Sequence, residues 1–163
     1  MPTIKGYRRA AVTDSATSDE HISHRLTLLL HRVVAVLIDG SAAQFREDGL
    51  SIPAARTMVS LLEAGGEAPV GTVSEATSID LSTTSHILRR LEKQGYLKRE
   101  RDPNDNRVVI AFLTIEGKIV AKRCRQASLD HEAILTKSMA PEDVATFKRL
   151  LVAAFANAKE GFG

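Results

Sequence analysis

The chain has 163 residues, of which 44% are hydrophobic and 26% charged, and Lys plus Arg exceed Asp plus Glu by two. That gives room for one domain with helical extensions and is the balance of a globular chain, not a disordered one. No apolar run approaches the roughly 20 residues of a membrane span, the first 20 residues lack the apolar core of a secretory signal, and the single cysteine, Cys124, excludes an intramolecular disulfide and fits the cytosol.

In chain order, residues 1–19 are small and polar and read as a mobile arm. From His21 to about Phe45 a helix is predicted, because Ile22, Leu26, Leu29, Val33 and Leu37 recur at spacings of three and four. Asp48-Gly49 ends it. Pro53 opens a second helix, closed by Gly65-Gly66. A link with Pro69 and Gly71 leads to a short helix over 72–78, and a basic helix follows from Leu81 to Gln94. There Thr84, Leu88 and Leu91 face the core, Ile87 lies at the edge of the stripe, and Gly95 is the stop. Tyr96–Arg101 and Arg107–Leu113 read as the strands of a two-stranded β-ribbon, joined by the turn residues DPNDN. Thr114 is placed as the N-cap of a helix from Ile115 to about Lys137. Pro141 starts a last helix with the stripe Val144, Phe147, Leu151, Ala154, Phe155 and Ala158.

The expected fold class is therefore mainly α with a small β-ribbon wing (α+β), a winged helix-turn-helix. The expected division is an arm at 1–19, a DNA-binding lobe at 49–114, and dimerisation helices at 20–48 and 115–163. Those flanking helices carry more apolar surface than the small lobe needs. A homodimer of twofold symmetry buries it; packing on the chain's own core is the alternative.

Charge is concentrated. From His86 to Arg107 there are seven basic residues (Arg89, Arg90, Lys93, Lys98, Arg99, Arg101, Arg107) and four acids (Glu92, Glu100, Asp102, Asp105), a local excess of three. The excess coincides with the basic helix and the ribbon, which is the electrostatic footprint of a protein that docks on DNA; a solvated charged surface is the bland alternative. In a helix-turn-helix the first turns of the second helix reach base edges. Ser82, Thr83, Ser85 and His86 occupy those turns, and Arg89 and Arg90 follow within reach of phosphate or guanine. Ser82 is alternatively the helix N-cap, and His86 a solvated residue. At the ribbon tip Asp102 and Asp105 would repel phosphate, so Asp105 is read as orienting Arg107, whose guanidinium then enters a narrow minor groove. The alternative is a surface ion pair that only tidies the hairpin.

The run LRRLEKQGYLKRERDPNDNRVVIAFLTIEG resembles the signature of the multiple antibiotic resistance regulator (MarR) family of bacterial winged helix-turn-helix repressors. The matching residues are Leu91-Glu92-Lys93-Gln94-Gly95, Arg99, Asp102-Pro103-Asn104-Asp105-Asn106-Arg107 and Leu113-Thr114-Ile115-Glu116-Gly117. The segment that begins at Gly49 resembles the family's second helix, and the likeness covers nearly all of the chain beyond residue 20. It implies a homodimer with interlocked terminal helices and two lobes on a pseudo-palindromic operator, with Arg107 as the wing arginine held by Asp105. Three positions depart from the pattern: Asn106 where a second arginine is frequent, Arg89 where an acid is, and Thr84 where valine is usual.

Family members are often released from DNA by a small aromatic acid or phenol, and Arg25 and Arg32, beside the first helix's apolar stripe, are the candidate carboxylate partners. Cys124, flanked by Arg123 and Arg125, is a lone helical cysteine and is read as inert ahead of redox-active. His21, His24 and His31 lack metal-ligand spacing and a completing carboxylate or thiol, so neither a metal nor any cofactor is expected. No nucleophile elbow, phosphate loop or HExxH is present, which points away from an enzyme. The expectation is a cytosolic, homodimeric, sequence-specific transcriptional repressor; a winged-helix module that binds a protein partner is the alternative.

Overall fold

The computed structural model describes residues 25–46 and 48–162. Six helices and three strands follow one another: α1 (Leu26–Arg46), α2 (Ile52–Glu63), β1 (Glu67–Pro69), α3 (Val70–Thr77), α4 (Leu81–Lys93), β2 (Leu97–Arg101), β3 (Val109–Leu113), α5 (Ile115–Thr136) and α6 (Pro141–Phe162). Of the described residues, 25–36 belong to one unit, and those from Leu37 onward to a second that holds the whole lobe. The arm at 1–19 and the residues His21 and His24 lie outside the described residues.

Local chemistry sets the boundaries. Ser51 caps α2 by accepting from the Ala54 amide. The helix closes where the Gly66 amide reaches back to the Leu61 carbonyl at 2.8 Å, which requires the positive φ of Gly65 (+88°) and Gly66 (+104°). At the end of α4 the Tyr96 amide donates to Leu91 O and the Gly95 amide to Glu92 O, with Gly95 at φ +81°. That is the six-to-one and five-to-two pairing of a Schellman stop. It takes Tyr96 out of the ribbon, so β2 starts one residue later than the sequence suggests.

The sheet has three strands, not two. β1 pairs antiparallel with β3 (Ala68 opposite Ala111), and β3 with β2 (Arg99 opposite Ala111), in the order β1-β3-β2. A three-residue strand containing proline gives no periodic signal; Pro69 is tolerated because β1 is an edge, where an absent N–H breaks no ladder. Pro69 also precedes the first turn of α3, which begins at Val70, two residues earlier than expected. β3 begins at Val109 instead of Arg107 because the tip holds Arg107 and Val108 in its own hydrogen bonds.

The core sits where the lobe packs against the first half of α5. Met58 and Leu61 of α2, Val73 of α3, Leu88 and Leu91 of α4, Leu97 of β2, Ala111 of β3 and Val120 of α5 are almost wholly buried. Thr84 is buried too, as the stripe predicts, and Ile87 packs at the cluster's edge. The Thr84 hydroxyl costs little there, because it donates to Ile79 O at 3.2 Å. Outside the lobe the predicted stripes are bare: Leu29 and Val33 of α1 are exposed, as are Phe147, Leu151 and Phe155 of α6.

Candidate nucleic-acid interface

The turn between α3 and α4 is built from side chains that hold backbone. Ser78 closes α3 in the left-handed region (φ +55°), the Ile79 amide donates to Ser74 O, and the Ser74 hydroxyl donates to Ile79 O at 2.6 Å. Asp80 then caps α4, accepting from the Thr83 amide at 2.9 Å. Hydrogen bonds from Thr83, the side chain first and the backbone second, hold the Asp80 carboxyl below the usual carboxylate range. The cap is thus Asp80 and not Ser82, whose hydroxyl is left at the surface.

Leu88 and Leu91 fix the roll of α4, and that roll decides what faces out. Ser82, Thr83, His86, Arg89, Arg90 and Lys93 are exposed, while Ser85 is half-buried and its hydroxyl donates to Leu81 O at 2.8 Å. A hydroxyl satisfied by its own helix is a weaker base reader than a free one. The departure at Arg89 therefore stands on the solvent face and adds a cation there.

The wing is braced at both ends. At its base Arg99 donates to Glu92 of α4 through Nη2 at 2.6 Å and Nε at 2.9 Å, and its amide donates to the same carboxylate at 3.0 Å. This ion pair, with two guanidinium N–H groups on one carboxylate oxygen and only 25% of the Arg99 side chain exposed, fixes β2 against α4. At the tip Asp102 accepts from the amides of Asn104 and Asp105, and Arg101 Nη1 donates to Asn106 O at 2.8 Å. Asp105 accepts from the Arg107 amide at 2.9 Å. The sequence paired Asp105 with the Arg107 guanidinium; the bond observed is to its backbone, so the aspartate shapes the turn and the Arg107 side chain projects exposed. Glu92 and Arg101 are positioning groups that sequence reasoning missed. The pair Glu92 and Arg99 is seven residues apart, and the chain reversal at Gly95, which lays β2 back along α4, brings the two together.

The joint between wing and α5 rests on Thr114 and Gly117. The Thr114 hydroxyl donates to Gly95 O at 2.8 Å and accepts from the Gly117 amide at 3.0 Å, while the Thr114 amide donates to Tyr96 O at 3.0 Å. Gly117 abuts that same Tyr96 carbonyl closely enough to exclude any side chain.

Residues 50–109, which run from α2 through α4 and the wing tip, match the model of the MarR family. The multiple antibiotic resistance protein MarR of Salmonella typhimurium is 33% identical over 97 residues, covering 59% of this chain and 67% of that protein. The chain belongs to the MarR family. It is a transcriptional regulator, as its relatives are, and not an enzyme. Among solved structures, BpsR of Bordetella bronchiseptica, whose DNA binding is described as regulated by 6-hydroxynicotinic acid, superposes with a TM-score of 0.73 at 20% identity over 83% of this chain and 96% of that one. A cysteine-to-serine variant of MarR from Escherichia coli, complexed with operator DNA, gives 0.68 at 23% identity, covering 83% of this chain and 99% of that one. At those identities the likeness speaks for the fold alone.

The other expectations meet the structure as follows. Arg25, just before α1, and Arg32 on it are exposed within the first unit. In the second unit a cavity of about 810 Å³ opens between the C-terminal part of α1 and α2, α3, α5 and α6, with its own cations, Arg56 and Lys148. Nothing in the sequence marked it, because its lining comes from five helices. Cys124 is buried, and burial, with Asp48 nearby, pushes its thiol up to about 11, although the neighbouring Arg123, itself paired with Asp48, pulls the other way. A thiol so raised is a poor nucleophile at neutral pH. Among the described residues no group of three His, Cys, Asp or Glu could hold a metal, and no helix is long and apolar enough to cross a membrane.

Proposed function

We propose that the chain acts as a cytosolic homodimeric repressor on a pseudo-palindromic operator. In this reading each α4 enters a major groove with Ser82, Thr83, Ser85 and His86 toward the bases and Arg89 and Arg90 toward guanine or phosphate. Arg107 is carried by the wing into the neighbouring minor groove. Arg99 and Asp105 serve the same surface indirectly, the first by holding the wing to α4 and the second by shaping the tip. The observation that carries the reading is the exposed Arg107 guanidinium at the end of a wing whose tip is shaped by Arg101, Asp102 and Asp105 through hydrogen bonds to its backbone. The bare stripes of α1 and α6 support a second copy, since Phe155 is 55% exposed and Val152 69% exposed in the single chain. An effector that occupies the cavity beside α2 and α5 would regulate release; the cavity is of the size that small-molecule sites have.

The test is a duplex selected from a random library with the full chain, then read by fluorescence anisotropy over a salt series. Arg107→Ala is expected to weaken binding and to reduce the slope of log affinity against log salt by about one. His86→Ala is expected to relax sequence preference with little loss of non-specific affinity. Wild-type affinity in Arg107→Ala at physiological salt would remove the wing from the interface, and failure to enrich any sequence would favour a protein-binding module instead.

A further inference from the structure

The outward face of α4 carries two adjacent arginines in different surroundings. Arg90 lines a cleft of about 200 Å³ with Gly49, Ser51 and Ala54, where α2 begins, and with Gln94, whose Nε2 lies 3.4 Å from Gly49 O. Phosphates are held by arginines, backbone N–H groups and helix N-termini, so an arginine at the edge of α4 beside the start of α2 has the setting of a phosphate contact. Arg89 is exposed, and among the described residues it enters no hydrogen bond or ion pair. Glu92, the acid three residues further along the same helix, is taken by Nε, Nη2 and the amide of Arg99, so it does not draw the Arg89 guanidinium aside.

Spacing separates the two arginines as well. A homeodomain helix lying in the major groove reads bases at positions i, i+3, i+4 and i+7. Counted from Ser82, that set is Ser82, Ser85, His86 and Arg89, all within about 100° of one another around the helix. The set that ends on Arg90 contains Ile87, which packs against the core. Side chains also lengthen along the stripe, from two serines through histidine to arginine. A straight helix that enters a groove by its N-terminus recedes from the bases toward its other end, where only a long side chain reaches them. Arg89 lies ~10.5 Å beyond Ser82 along the axis, about three base-pair rises. The Ser85 hydroxyl donates to Leu81 O at 2.8 Å, so of the four only Arg89 presents a pair of parallel donors. That fork matches the O6 and N7 acceptors of guanine, whereas adenine places an amino group where O6 would be.

We infer that Arg89 is the base-reading arginine of α4 and selects a guanine at one fixed position in each operator half-site, while Arg90 holds a phosphate. This rests on the operator reading above and names the class of sequence that the operator must contain.

The probe is the duplex that the full chain selects from a random library, with binding read by fluorescence anisotropy. Each guanine of one half-site is replaced in turn by 7-deazaguanine, which lacks the N7 acceptor and keeps Watson–Crick pairing. Wild type is expected to lose about tenfold in affinity at one such position, as for a hydrogen bond to a charged donor. Arg89→Ala should bind the parent duplex more weakly and be indifferent to the replacement. Arg89→Gln should move the preference there from guanine to adenine, whose N6 and N7 suit a side-chain amide. Arg90→Ala should weaken all duplexes alike, lower the slope of log affinity against log salt by about one, and keep the 7-deazaguanine penalty. The inference is overturned if no guanine of the half-site carries the penalty, if the penalty persists in Arg89→Ala, or if Arg90→Ala is the variant that abolishes it. In each of those cases the operator reading stands. If the library yields no enriched sequence, the operator reading itself falls and this inference with it.

Discussion

Gly117→Ala is a single-methyl perturbation whose cost can be worked from distances. A Cβ there would lie 1.8 Å from the Tyr96 carbonyl oxygen and 2.8 Å from its carbon. Real Cβ contacts essentially never fall below 3.0 Å, so α5 and the Tyr96 peptide must part by about 1.2 Å. The obstacle is backbone, which has no rotamer by which to retreat. Such overpacking costs about 1–3 kcal/mol. The movement also strains the bonds from Thr114 to Tyr96 O and Gly95 O, each worth about 0.5–1.5 kcal/mol. Against this, Ala is favoured over Gly inside a helix by about 1 kcal/mol. The net expectation is a loss of about 2–3 kcal/mol. It would be read as a lower urea midpoint at fixed protein concentration, since stability of a dimer depends on concentration. Gly71→Ala in α3 is the control: nothing lies within 4 Å of its Cβ position, and it should be neutral or stabilising by up to about 1 kcal/mol. A Gly117→Ala protein within about 0.5 kcal/mol of wild type would refute the close-approach argument.

Glu92→Ala leaves the Arg99 guanidinium and amide without their shared acceptor and should cost about 1–2 kcal/mol, discounted because both side chains are partly exposed; Glu92→Gln keeps the amide's acceptor and should cost less. If Glu92→Ala keeps both wild-type stability and wild-type operator affinity, the brace between wing and α4 has no role. Cys124, raised in the folded state to about 11 from 9.0, ionises first in the unfolded chain. Its contribution is therefore fully present below pH 9 and lost as pH rises toward 11, a decline that Cys124→Ala should lack in alkaline denaturation curves. Native protein should likewise resist alkylation at pH 7.5, and rapid labelling would contradict the burial. Asp80, held below the usual carboxylate range, works in the opposite sense. Its capping contribution is present above the unfolded carboxylate value and lost as pH falls through the lower folded one, so Asp80→Ala should flatten the acid limb of the stability profile.

Much was legible in the residues alone. The stripe Thr84, Leu88, Leu91 placed α4 and its buried face, Gly95 stopped it, and Thr114 capped α5, because caps, stops and periodicity act within a few residues and are written locally. The run through Asp102 and Arg107 indicated a wing and a family for the same reason. Tertiary structure alone decided the rest. β1 exists because β3 offers it an open edge, and no local pattern in Glu67–Pro69 announces that. Glu92 meets Arg99 only once the chain has reversed at Gly95, and Gly117 meets Tyr96 only once the hairpin has turned back. Asp105 accepts from the Arg107 amide and not from its guanidinium, because the turn at the tip lays that backbone N–H on the carboxylate. Ser41 and His131, ninety positions apart, share a cavity wall that no window along the chain can contain. Local interactions depend on neighbours in sequence and can be read there; the partners of a buried or braced group depend on chain reversals, which the folded core fixes.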